Sequence, residues 1–262
     1  MDIIMILGLS ANVVTILTGI CAFGSFLIKK YSRFKTPLII LFFTTGLIAS
    51  TFSIYVWIQP ALKVKQHQDE YRQTLATTPK YSYSFVDGDQ RWAEGRPFDK
   101  GSCLAQKQAY YISMTTQGHY YPCYNQQASF TNFMCEVRMR ILSGDTGGIV
   151  FRDQATRNDT YYLSINEDGA YNLSYLPNSA SDESNPLFSG VSDSLYHDQI
   201  LNQASLVAIR ADGSDLAIYI DGNYVNSIQD SSIASGRIGL VSQKLLNNTD
   251  IVFDQVKIWT LS

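Results

Sequence analysis

The chain has 262 residues, a formal net charge of −3 and 16% charged residues, against roughly 25% in an ordinary soluble domain. The deficit is local, because residues 3–28 and 37–58 hold no Asp, Glu, Lys or Arg. This distribution excludes a purely soluble enzyme, a disordered chain and a polytopic transporter, and the acidic balance excludes a strongly basic nucleic-acid binder, so no nucleic-acid partner is expected.

In chain order, each uncharged stretch exceeds the ~20 residues that cross a ~30 Å hydrocarbon core as a helix. Residues 1–58 are therefore expected to form a transmembrane helical hairpin, with spans 3–28 and 37–58. Small and hydroxylated residues such as Ser10, Gly19, Thr44 and Gly46 suit contact between membrane helices, and Cys21 reads as a packing residue. Met1-Asp2 supplies no positive n-region, which argues against a signal peptide. Lys29, Lys30, Arg33 and Lys35 crowd the connection between the spans. A short loop rich in Lys and Arg stays cytoplasmic, so both termini are expected outside a plasma membrane crossed twice. Tyr55 and Trp57 then fall at the outer end of the second span, where interface aromatics concentrate.

Residues 59–80 are polar and read as a stalk, with a short helix after Pro60. From Tyr81 onward, short alternating segments and turn signals predict an all-β sandwich over residues 81–262. Phe133, Cys135, Val137, Met139 and Ile141 alternate with Met134, Glu136, Arg138 and Arg140, giving one apolar and one charged face. Tyr161, Leu163 and Ile165 alternate likewise with Tyr162, Ser164 and Asn166. Asp168-Gly169, Asp212-Gly213 and Asp221-Gly222 read as tight hairpin turns. The last strand changes parity between Phe253 and Val256, which predicts a β-bulge near Asp254-Gln255. Pro177–Asn202 reads as one long Ser- and Asn-rich loop.

Four cysteines are present. Cys103 and Cys123 lie in turn-rich segments and are expected to pair, which an oxidising compartment permits. Cys135 falls on an apolar face and reads as a buried free thiol.

Phe130 to Met139, Gly144 to Arg152, Val207 to Gly213, Leu216 to Gly222, Gly236 to Leu240 and Phe253 to Trp259 together resemble the concanavalin A-like jelly rolls, in particular their bacterial laminin-G-like branch. The resemblance covers residues 81–262 and implies a fold that serves lectins, glycosidases, adhesion modules and sensor ectodomains. It also implies a ligand on the concave sheet face, often a sugar. If consecutive strands pair as a meander, Arg138, Arg152, Tyr162 and Asn172 project from one side of one sheet, where rings and guanidinium groups suit glycan recognition. Arg152 is the strongest single candidate, because its motif recurs in the resemblance.

No catalytic residues emerge. The five glutamates, Glu70, Glu94, Glu136, Glu167 and Glu183, form no paired-carboxylate strand of the kind glycosidases use. His67, His119 and His197 belong to no triad or zinc motif. No cofactor is implied apart from calcium, for which Asp87, Asp89 and Asp145 are the candidate ligands because they offer hard oxygens near turns. The expected function is a membrane-anchored extracytoplasmic binding or sensing module for glycan or cell-envelope material. The alternatives are a carbohydrate-active hydrolase of the same fold and a protein–protein adhesion or assembly domain. The connection between the spans is too short to signal alone, so sensing requires a membrane protein partner.

Overall fold

The computed structural model describes residues 35–86, 91–95, 101–117, 120–126, 128–177, 184–192 and 204–261. The first expected span, the basic loop up to Phe34, Cys21, Asp87, Asp89, His119 and His197 lie outside the described residues. The chain divides into two compact units between Gln66 and His67.

Helix α1 runs from Lys35 to Leu75, 41 residues, and contains the second expected span. Leu47, Ile48, Phe52, Tyr55, Val56 and Trp57 are all exposed on it. Gly46, Ser50 and Ser53, spaced along one face, are half-buried. Ser50, Thr51 and Ser53 donate their hydroxyls to the carbonyls of Leu47, Ile48 and Ala49, which satisfies them without water. This is one helix long and apolar enough to cross a membrane. It passes through Pro60 and continues to Leu75, so most of the expected stalk is a helical extension.

From Tyr81 onward the chain forms a β-sandwich of antiparallel strands. Along one sheet lie β12 (Asn223–Gln229), β11 (Asp215–Ile220), β10 (Ser205–Asp212), β5 (Phe133–Ser143), β14 (Thr249–Thr260), β3 (Ala109–Met114) and β2 (Gly101–Gln106), with β1 (Tyr81–Tyr83) also on β14. The second sheet is β4 (Tyr120–Tyr124), β13 (Arg237–Gln243), β6 (Thr146–Gln154), β7 (Asp159–Asn166), β8 (Ala170–Leu176) and β9 (Asn185–Val191). Strand β9 falls within the segment expected to be a single loop. Its composition hid it, because Ser, Asn and Pro are poor strand formers and an edge strand tolerates them.

The period-two patterns set the core. Phe133, Cys135, Val137, Met139 and Ile141 face inward from β5 against Ile149, Phe151, Tyr161, Leu163 and Ile165 of the other sheet. The expected turns form, with positive φ at Gly169, Gly213, Asp221 and Gly222. The expected bulge in β14 is present as well. Its register to β5 shifts between Asp254 and Lys257, and Gln255 has φ +53°.

Cys103 of β2 and Cys123 of β4 form a disulfide that links the two sheets. Cys135 is free and buried, and burial, with the neighbouring Glu136 charge adding to it, pushes its thiol up to about 12.

The other face of β5 departs from the alternating pattern. Met134 and Glu136 are buried, because residues 67–75 of α1 pack over them. Tyr71 clusters with Met134, Ala208, Ala217, Tyr219 and Trp259, its ring stacked on Tyr219 at 4.5 Å. Its hydroxyl donates to Glu136 Oε2 at 2.6 Å. Gln68 brackets a hairpin, its Nε2 donating to the Gly222 carbonyl and its Oε1 accepting from the Tyr224 amide. Trp259 Nε1 donates to the Thr77 carbonyl. A face that reads as charged and solvated is thus a second, smaller core.

Candidate functional site

The outward side chains of the second sheet fall into two zones. At one end Val150, Tyr162, Leu176 and Val241 form a buried apolar cluster with Tyr124 packed against it. Arg237 lies over the Tyr124 ring at 4.1 Å and binds Asp153 Oδ2 through Nε and Nη2. At the other end the face sinks into a cavity of about 470 Å³. Thr146 of β6, Ser164 and Asn166 of β7, Asn172 of β8, Ser189 of β9 and Gln243 of β13 line it.

Strand parity explains this lining. Ser164 and Asn166 share a face with Tyr162, and Asn172 pairs across from Ser164. Ser189 follows opposite Asn172. Ser164, Asn166 and Asn172 alternate with the core residues Leu163, Ile165, Tyr171 and Leu173. Thr146 Oγ1 donates to Asn166 Oδ1 at 2.9 Å, Ser174 Oγ donates to Asn172 Oδ1 at 3.0 Å, and the Tyr162 hydroxyl donates to Gln243 Oε1 at 3.1 Å. These bonds orient the amides while leaving further donor and acceptor capacity on each.

Leu245 completes the rim, and Asp145 positions it. Asp145 Oδ2 accepts from the amides of Leu245, Leu246 and Asn247, and Oδ1 accepts from Asn247 Nδ2. Burial pushes this carboxyl up, but the backbone and side-chain donors outweigh it and hold it below the ordinary value. Both oxygens are engaged in holding this loop, so Asp145 is a loop anchor in this structure. The other two calcium candidates, Asp87 and Asp89, lie outside the described residues.

The four candidate ligand residues do not come together. Arg138 lies on β5, in the other sheet, and its Nε meets Asp254 Oδ1 at 2.5 Å. The meander expectation fails there, because the chain crosses from one sheet to the other at the β5–β6 turn. Arg152 belongs to β6 but is fully buried. A register shift between Phe151 and Gln154, with φ +51° at Arg152, turns its side chain off the outer face. Its Nε and Nη2 donate to the Thr131 carbonyl and Nη1 donates to the Ile233 carbonyl. Gly236 makes room for this turn, since a Cβ there would lie 2.3 Å from the Arg152 carbonyl carbon. Asn172 lines the cavity, and Tyr162 reaches it through Gln243. Thr146, Ser164, Asn166, Ser189 and Gln243 were not singled out from sequence. The parity of Ser164 and Asn166 with Tyr162 was the available signal for two of them.

No protein-family model matches the chain, and no curated protein matches it. Solved structures do. A Bacillus subtilis protein of unknown function with a galectin-like fold aligns at TM-score 0.54 and 11% identity, over 70% of this chain and 96% of that one. A Bacillus licheniformis β-glucanase aligns at TM-score 0.52 and 10% identity, over 71% and 100%. A prokaryotic β-1,3-1,4-glucanase (lichenase) derived from a mouse hindgut metagenome aligns at 0.50 and 13%, over 71% and 100%. At these identities the likeness is one of fold. The sandwich is similar in fold to these structures, which are concanavalin A-like jelly rolls.

Proposed function

We propose that the protein is a membrane-anchored extracytoplasmic binding module whose ligand is a neutral glycan or glycan-bearing cell-envelope material. The anchor in this reading is a two-helix hairpin, spans 3–28 and 37–58, with the basic loop between them cytoplasmic and both termini outside. A sensing role would pass through a membrane protein partner, met by the small residues of the spans.

One observation carries the ligand class. Hydroxyl and amide side chains line the 470 Å³ cavity, and no carboxylate, ammonium, guanidinium or imidazole stands among its described lining residues. Sugar hydroxyls both donate and accept, and amides and hydroxyls answer both needs without the cost of burying a charge. Glycoside hydrolysis instead needs two carboxyl groups about 5–10 Å apart across the scissile bond, so binding is the reading that this chemistry favours. Glucanases among the structures of similar fold support a glycan as the ligand class.

The test is a glycan array probed with the full chain in lipid nanodiscs, with and without calcium. Retention of at least one neutral oligosaccharide is expected, weakened about tenfold or more by Asn172→Ala or Gln243→Ala, a loss of at least 1.4 kcal/mol. Absence of binding to every glycan, or binding indifferent to both substitutions, would overturn the proposal.

A further inference from the structure

On the opposite side of the sandwich, the end of α1 meets the β11–β12 hairpin through a cluster that the glycan reading does not use. His67 is 4% exposed. Its ring stacks on Tyr224, with centroids 4.7 Å apart and planes within 6°, and its Nε2 lies 3.1 Å from Ser227 Oγ. The other ring nitrogen, Nδ1, makes no hydrogen bond although it is buried. It points between two carboxylates, 3.3 Å from Glu70 Oε2 and 3.7 Å from Asp215 Oδ2.

These separations are informative. A protonated imidazole bonded to a carboxylate closes to about 2.7–2.9 Å, shorter than either contact. Donor atoms around a tetrahedral zinc ion, each about 2.0–2.2 Å from the metal, stand roughly 3.4 Å apart. Here the three atoms lie within 4.8 Å of one another. When Nε2–H donates to Ser227, Nδ1 keeps its lone pair and faces two acceptor oxygens, an arrangement that a cation resolves. The supporting contacts are those of a metal site as well. Ser227 fixes the imidazole through its remote nitrogen, and Gln229 Nε2 donates to Asp215 Oδ1 at 2.8 Å, leaving Oδ2 toward the cluster. A cavity of about 290 Å³ lined in part by Glu70, Arg210 and Asp212 lies beside the cluster.

We infer that His67 Nδ1, Glu70 Oε2 and Asp215 Oδ2 form a three-ligand site for a divalent transition metal, zinc being the ion whose ligand preferences they match. Arg210 sets its strength. Its Nη1 lies 3.4 Å from Glu70 Oε2 and 3.7 Å from Asp215 Oδ2, while Nη2 is held by Asp212 Oδ2 at 2.7 Å. The guanidinium competes with the ion for the same oxygens and moderates the affinity. The bound ion ties the end of α1 to strand β11, giving the domain a metal-dependent clasp on its N-terminal helix.

The experiment uses the full chain in detergent, stripped with chelator, then dialysed to equilibrium against zinc or cobalt(II) at neutral pH. One ion per chain and a cobalt absorption envelope of nitrogen–oxygen coordination are expected. His67→Gln and Asp215→Asn should lose the ion, Ser227→Ala should weaken it about 10- to 100-fold, and Arg210→Gln should tighten it about tenfold or more by removing the competing charge. Failure of the stripped wild-type chain to take up stoichiometric metal overturns the inference whether or not the variants fold. Equal uptake by a folded His67→Gln chain overturns it too.

Discussion

Arg152 shows how one backbone angle relocates a side chain. On an unbroken strand it would share the outer face with Val150 and Tyr162. With φ +51° it enters the interior and caps the carbonyls of Thr131 and Ile233. Arg152→Met keeps the bulk but leaves both acceptors without a donor. It is expected to lower stability by about 2–3 kcal/mol, seen as a lower urea midpoint, while the folded fraction keeps full glycan affinity. Loss of affinity at unchanged stability would restore Arg152 as a ligand contact. Asp145 supplies a second case with a definite sign. Its folded carboxyl titrates below the ordinary value, so its contribution is complete above about pH 4 and is lost as pH falls through the lower folded value. Thermal unfolding followed from pH 7 to pH 2.5 should therefore show a shallower acid decline in Asp145→Asn than in the wild type. Equal slopes would mean that this carboxylate does not anchor the loop carrying Leu245.

At the scale of elements, the end of α1 depends on one buried aromatic hydroxyl. Burial, and after it the hydrogen bond to Glu136, drives the Tyr71 hydroxyl far above its ordinary pKa, so it stays protonated and donates. Tyr71→Phe removes the donor beneath a carboxylate that is 5% exposed and is expected to cost about 1.5–3 kcal/mol. Hydrogen exchange should accelerate in residues 67–75 ahead of the sheets, and uniform acceleration throughout would contradict the local role. This region also marks where sequence reading stops. The core face of β5, the Asp-Gly turns, the Cys103–Cys123 pair and the bulge in β14 are legible because each depends on residues close in sequence or on strict parity. The second core under Tyr71 is not, since the segment around it is polar and its partners come from β5, β10, β11 and β14. The cavity was legible only through strand parity, because its floor joins four neighbouring strands to β13, which lies about 70 residues from β8. Arg152 misleads because its bulge depends on Gly236, far away in the chain.

For the whole molecule, the proposed anchor raises the question of which side of a membrane carries the sandwich. The charge asymmetry between Lys29–Lys35 and the acidic remainder orients the proposed hairpin. A reporter fused after Ser262 should be active only when it requires an extracytoplasmic location, and activity of a cytoplasm-dependent reporter would reverse the proposed topology. The sheet-to-sheet disulfide has a mechanical consequence in that setting. A domain tethered by its N-terminal helix and held by a ligand at the cavity carries tension between the two. Strand β1 offers only three residues of pairing to β14 and is the first strand on that load path. Behind it, the bond between Cys103 and Cys123 shortens the load path, because the 20-residue separation it spans cannot be drawn out. About 65 Å of extension, at roughly 3.4 Å per residue, is withheld from any pull. The cross-link therefore acts as a limit on stretch, holding the sheet that bears the cavity in register with the sheet on which residues 67–75 pack.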